Sequence, residues 1–270
     1  MSNLFDAAGQ CLACRDPDEK CALSNTVADA WQAGELDCTG TVAPLPIGEP
    51  GRPPRPELVT PRELNSRKLG SRAGQASLIH AIAHIEFNAI NLAWDAVYRF
   101  RDMPRQFYAD WIRVACEEAS HFRLLRTHLQ TLGHDYGDFV AHNGLWEMAQ
   151  KTAHDGMVRM ALVPRVLEAR GLDVTPGMIK RLESLGDHRA VEILDIILRE
   201  EVGHVEIGTR WFRYHCEQRG LDSEQTFKGL LEEYMSGSVR GPFYYAARKQ
   251  AGFTETEMQM LEDSANRREQ

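Results

Sequence analysis

From Gly74 onward the apolar residues recur at three- and four-residue spacings, and no run alternates well enough to read as a strand. Residues 75–101 set the pattern, with Leu78, Ile79, Ile82, Ile85, Ala89, Leu92, Ala93 and Ala96 sharing one helix face. Pro104 opens a second helix over about 105–131, since proline suits the first helical position. A third is expected over about 144–170, stopping before Gly171. Thr175-Pro-Gly then starts a short helix ending near Gly186. A fourth long helix spans about 187–219, and shorter ones follow at 223–235 and 254–264. Four long helices with short connections define an all-α helix bundle with extra short C-terminal helices.

The first 70 residues differ. Residues 24–36 suit one short helix, and Pro44, Pro46, Pro50, Pro53, Pro54, Pro56 and Pro61 crowd the next stretch. Proline fixes φ and lacks a donor N–H, so this stretch is expected as an extended arm along the main body. The expected division is therefore 1–70, short helix and arm, and 71–270, helical bundle. A net charge of −8 without a basic block argues against general binding to nucleic acid or anionic membrane. No stretch reaches the roughly 18 apolar residues of a membrane helix, no secretory signal opens the chain, and six cysteines do not suggest a disulfide scaffold. A cytoplasmic protein is the expectation.

Two of the long helices carry the same phrase, Glu-Glu-x-x-His: Glu117-Glu118-Ala119-Ser120-His121 and Glu200-Glu201-Val202-Gly203-His204. Residues three apart lie on one helix face, so Glu118 with His121, and Glu201 with His204, can each offer a metal one carboxylate and one imidazole. Upstream, Glu86 and Glu168 sit in apolar surroundings, 32 and 33 residues before Glu118 and Glu201. Four helices thus supply four Glu and two His, the ligand set of di-iron and di-manganese carboxylate bundles. Four buried carboxylates would neutralise by taking up protons unless cations balanced them, and two divalent ions would. Iron or manganese, or one of each, suits these hard oxygen and imidazole donors. Glu117 and Glu200 are expected to accept hydrogen bonds from the non-coordinating histidine nitrogens. Pro164, one turn before Glu168, is expected either to kink the third helix and shape a pocket, or to divide it.

Longer phrases carry a resemblance over about residues 15–262. They include Ala-His-Ile-Glu at 83–86, Glu-Glu-Ala-Ser-His-Phe at 117–122, Leu-Gly-His-Asp-Tyr-Gly-Asp-Phe at 132–139 and Gly-Leu-Trp-Glu-Met-Ala at 144–149. Met-Ala-Leu-Val-Pro-Arg-Val-Leu-Glu-Ala-Arg-Gly-Leu-Asp at 160–173, Glu-Glu-Val-Gly-His-Val at 200–205 and Arg-Gly-Pro-Phe at 240–243 continue it. With these the chain resembles a bacterial ferritin-like family filed among the domains of unknown function (family 455). The resemblance implies a ferritin-like four-helix bundle with a dinuclear metal site on Glu86, Glu118, His121, Glu168, Glu201 and His204. It gives no reaction. The cysteine-rich start, Cys11, Cys14, Cys21 and Cys38, departs from that family; its spacing suits zinc or an iron–sulfur cluster, with scattered small residues in a loosely packed arm as the alternative. It has one Cys-x2-Cys where a rubredoxin-like electron donor needs two.

The expected function is a dinuclear, di-iron oxidoreductase that uses dioxygen to oxidise or hydroxylate a small molecule. Iron handling as a ferroxidase, peroxide defence, or a metal-free interaction module are the alternatives, and a homodimer is compatible with each. His80 and His84 are expected to pack or cap. Tyr98, Tyr108, Tyr136 and Tyr214 are redox-tyrosine candidates that suit packing equally. Arg240-Gly-Pro-Phe reads as a fixed turn that docks the C-terminal segment, with a substrate contact open.

Overall fold

The structure is a computed structural model that describes residues 2–40, 42–64, 68–235 and 237–266. It is all-α apart from a two-residue parallel pairing of Ser2–Asn3 with Leu36–Asp37 and an isolated bridge between Leu58 and Ala141. Among the described residues no helix is long and apolar enough to cross a membrane. The chain forms two compact units that meet in sequence at Gln150 and Lys151, whereas the composition shift suggested a division at residue 70.

The first unit is built on α3 (Arg72–Arg99) and α4 (Arg105–Thr131), which pack along each other. Ahead of them stand two helices, α1 (Leu4–Ala13) and α2 (Pro17–Gln32), in place of the single helix expected at 24–36. Leu4, Phe5, Ala8, Cys11 and Leu12 give α1 a buried stripe against α3, while α2 packs on α4. Asn3 and Asp16 cap the two helices by accepting backbone N–H bonds in their first turns. Covered by α1 and α4, α3 is buried on almost every side from Ile79 to Val97. Its polar residues therefore need internal partners. Asn91 accepts a hydrogen bond from Lys20 Nζ at 2.6 Å, and the same ammonium donates to the α1 carbonyls of Cys11 and Leu12 at 2.7 and 3.3 Å. Burial pulls Lys20 down to about 8.

The proline-rich stretch lies extended along this unit, as expected. Gly51 N–H bonds Leu12 O, Leu45 N–H bonds Tyr98 Oη, and Gly48 O accepts from Trp146 Nε1. A Cβ on Gly51 would collide with the carbonyl oxygens of Ala13 and Cys14, so this contact requires glycine. After α4, a loop leads to α5 (Gly144–Lys151).

The second unit opens with α6 (Gly156–Leu162), a π-helical turn over Val163–Glu168, and α7 (Ala169–Ser184) without interruption. After a turn at Leu185–Asp187, α8 (His188–Gln218) packs along all three segments. α9 (Ser223–Tyr234), α10 (Tyr245–Gln250) and α11 (Glu255–Asn266) complete the unit. The third helix expected at 144–170 is therefore two, α5 and α6, parted where Asp155 caps Met157 N–H. Nor does it stop at Gly171. Helical structure runs through Gly171 and Pro176 to Ser184, absorbing the short helix expected there.

His80, on α3, is fully buried, stacked on Tyr136 and edge-on to Phe139. Its Nε2 accepts the Gly137 N–H at 2.9 Å, so the ring is neutral. Burial pulls His80 from 6.5 to about 4, although Asp138 and Asp135 favour the charged ring. Between these values the unfolded chain binds the extra proton. The contribution to stability is complete above pH 6.5 and is lost as pH falls towards 4. We expect the urea midpoint to fall more steeply from pH 7 to pH 5 in the wild type than in His80→Gln, whose amide can accept the same N–H without titrating. Parallel pH curves would remove His80 from this role.

Candidate metal centre

In the first unit α3 carries Glu86, and α4 carries Glu118 and His121 one turn apart. Glu86, Glu118 and His121 are 4%, 1% and 0% exposed. His121 Nδ1 lies 3.1 Å from Glu86 Oε2 and 3.4 Å from Glu118 Oε2. One potential ligand atom from each of the three lies within 4.8 Å of the others. Burial and the Glu118 charge hold the Glu86 carboxyl above the ordinary range. Burial pulls His121 down, but its hydrogen bonds to Glu118 and Glu86 outweigh this and lift it well above an ordinary histidine. A proton at Nδ1 therefore balances one carboxylate, and the raised Glu86 carboxyl favours a proton of its own. The position of the Nδ1 proton, facing two convergent carboxylates, is one that a divalent cation can take, and the buried Glu/His group is compatible with metal binding.

The second unit repeats the motif. On α8, His204 Nδ1 lies 3.3 Å from Glu201 Oε1, with His204 fully buried and the Glu201 side chain 12% exposed. Both histidines thus turn the same ring nitrogen to the glutamate three residues before them, as the spacing predicts. Glu168 ends the π-helical turn that packs on α8 and is half-buried. Glu117 and Glu200 are both half-buried. The Glu117 carboxylate lies 4.0 Å from Arg113 Nε, on its own helix face.

The turn that ends in Glu168 owes its shape to Pro164. Proline lacks the N–H that would continue the α-helical ladder, and the helix answers by widening rather than ending. Gly208 makes room for the ring: a Cβ there would collide with Pro164 Cβ and Cγ. The next residue, Arg165, is fully buried. It bonds Glu257 Oε1 at 2.6 Å and lies 4.8, 4.1 and 4.6 Å from the Phe212, Phe227 and Phe253 rings. Arg248, from α10, pairs with Asp173 through both oxygens at 2.9 and 2.7 Å and reaches the carbonyls of Arg165 and Ala169 at 3.5 and 3.4 Å. These buried ion pairs lock the turn from the C-terminal helices. Sequence reasoning did not single them out. The one available signal was a lone arginine inside the apolar run Val163–Leu167.

The remaining candidates are used elsewhere. His84 turns away from Glu86 and meets Tyr136 Oη at 2.9 Å and His142 O at 3.2 Å. Tyr108 Oη donates to Arg101 O, Tyr98 Oη accepts from Leu45, and Tyr214 packs edge-on to Trp211. Burial pushes the Cys11 and Cys21 thiols up to about 12 and keeps them protonated. Cys21 Sγ faces Ala119 O.

The family described as "Protein of unknown function (DUF455)" matches residues 13–259. An uncharacterized protein of Haemophilus influenzae is 46% identical over 257 residues, covering 91% of this chain and 89% of its own. No solved structure matches. The chain belongs to this family of unknown function.

Removing one partner of a buried ion pair strands the other, at a cost of about 3–5 kcal/mol. Glu257→Ala, which strands Arg165, should therefore lower the urea-unfolding free energy by about that much. Pairing it with Arg165→Met should recover most of the loss. If the single substitution cost under about 1 kcal/mol, the pair would not be what locks the turn.

Proposed function

We propose that this member of the family is a ferritin-like oxidoreductase that holds two metal ions on Glu86, Glu118, His121, Glu168, Glu201 and His204. In this reading α3, α4, the α6–α7 rod and α8 correspond to the four ligand-bearing helices of a ferritin-like protein. The carrying observation is the repeated geometry. Two buried histidines present Nδ1 to a carboxylate one turn away, at 3.4 Å in one unit and 3.3 Å in the other.

Two iron ions, two manganese ions or a mixed pair supply, when bound in reduced form, the electrons and Lewis acidity needed to reduce dioxygen and oxidise a small organic substrate. The residues have separate tasks. Glu86 and Glu118 hold negative charge in a place closed to water, and His121 gives up the proton at Nδ1 as a cation enters. Glu201 and His204 offer the second carboxylate–imidazole pair from α8. Glu168, at the end of a locked π-turn, contributes a carboxylate whose position α-helical geometry alone would not give. Glu117 and Glu200 fix the imidazole rings by accepting hydrogen bonds from the nitrogens that bind no metal.

Metal analysis of anaerobically purified protein tests the reading. We expect close to two iron or manganese ions per chain, and Glu118→Ala should lose at least one of them while keeping its helical circular dichroism. Full metal content in Glu118→Ala, or none in the wild type, would sink the proposal. Oxygen uptake by the iron-loaded protein should rise on adding fractions of cell metabolites. Uptake that tracks added ferrous iron alone, from an assembly with the solution mass of a cage rather than a monomer or dimer, would point to iron handling instead.

A further inference from the structure

One flank of the second unit holds two adjoining cavities, of about 860 and 140 Å³. Val239, Arg240 and Phe243 line both. The outer one adds Pro242, Tyr245 and Glu262. The smaller one is walled by Met235, Leu261 and, from the π-helical turn, Val166 and Leu167, with Ser238, Arg170 and Arg248 also on its lining. Glu168 follows Leu167 directly.

The roof over these cavities is preformed. Arg170 donates to three successive carbonyls, those of Arg240, Gly241 and Pro242, at 2.9, 3.2 and 2.9 Å. Tyr244 N–H is held by Asp173 at 2.8 Å. A guanidinium spent on three backbone oxygens fixes a loop against α7, so a ligand need not order it on binding.

The charges are unequally committed. Arg248 is neutralised by Asp173, and Arg170 is occupied by the loop carbonyls. Glu262 lies beside Tyr245 on the outer cavity's wall. The Arg240 side chain is exposed and makes no hydrogen bond or ion pair among the described residues. A largely apolar smaller chamber, a roomier outer one and one uncommitted guanidinium where they join fit an amphipathic organic anion.

We infer that these cavities bind a small organic anion, its carboxylate or phosphate head on Arg240 and its hydrocarbon body against Val166, Leu167, Phe243 and Leu261. The body then lies on the turn that presents Glu168. Calling this molecule the substrate rests on the function proposed above, but its binding requires no metal.

Calorimetric titration of the full-length protein, metal-free and metal-loaded, tests the inference with octanoate, octyl phosphate, 1-octanol and octylamine. Octanoate or octyl phosphate should bind saturably at one per chain, and the tighter of the two identifies the head group. Arg240→Gln, at an exposed position, should weaken that binding about tenfold or more, leaving metal content and octanol binding unchanged. Leu167→Trp, which fills the smaller chamber, should weaken both octanoate and octanol. The inference fails if neither anion saturates, if octanol or octylamine binds as tightly, or if Arg240→Gln binds the anion like the wild type. Metal content measured on the same samples keeps the outcomes apart. Anion binding by a protein that takes up no metal on loading would retire the metal reading and keep the pocket, and metal uptake without anion binding would retire only the pocket.

Discussion

Ionised side chains leave water only when something inside the protein answers their charge, and this constraint organises both units. The answers differ in kind. Arg165 with Glu257, and Arg248 with Asp173, are pairs of permanent ions that nothing need enter or leave. Glu86 and Glu118 instead face the ring of His121, whose proton can be exchanged. A fixed ion pair is architecture, whereas a pair of carboxylates balanced by a removable proton has the makings of a metal site.

The π-helical turn depends on the fixed kind of burial. Pro164 removes a rung, Gly208 gives the ring space, and the buried arginines take up neighbouring carbonyls and charges. Each is a modest local adjustment. Together they turn a helix-breaking residue into a stable irregularity and set the last residue of the turn, Glu168, apart from its α-helical register. The short C-terminal helices are thus part of the support for that turn, since Arg248 and Glu257 come from α10 and α11.

Much of this was legible in the sequence, and unevenly so. The long periodic helices α3, α4 and α8 were readable to within a few residues, because periodicity accumulates with length. The pairing of each histidine with the glutamate three positions earlier follows from helix geometry alone. What escaped was whatever depended on distant partners. α1 hid because its apolar stripe is short, and its last carbonyls find their donor only once Lys20 arrives from the next helix. Pro164 read as a possible break because the residue that accommodates it, Gly208, lies 44 positions away. The role of Arg165 stayed hidden for the same reason, with Glu257 separated from it by 92 residues.

The anchoring of α1 and α2 has a practical side. Lys20 ties both to Asn91 in the middle of α3, and Trp94 Nε1 bonds Ser24 Oγ at 2.8 Å nearby. A minimal fragment begun near residue 70 would retain every candidate ligand in its sequence. It would also strip the cover from α3 and let solvent reach Asn91, five residues past Glu86. Spectroscopy or crystallisation of such a truncation would report on a wetted interior, so the leading segment belongs in any expression design meant to preserve the native site.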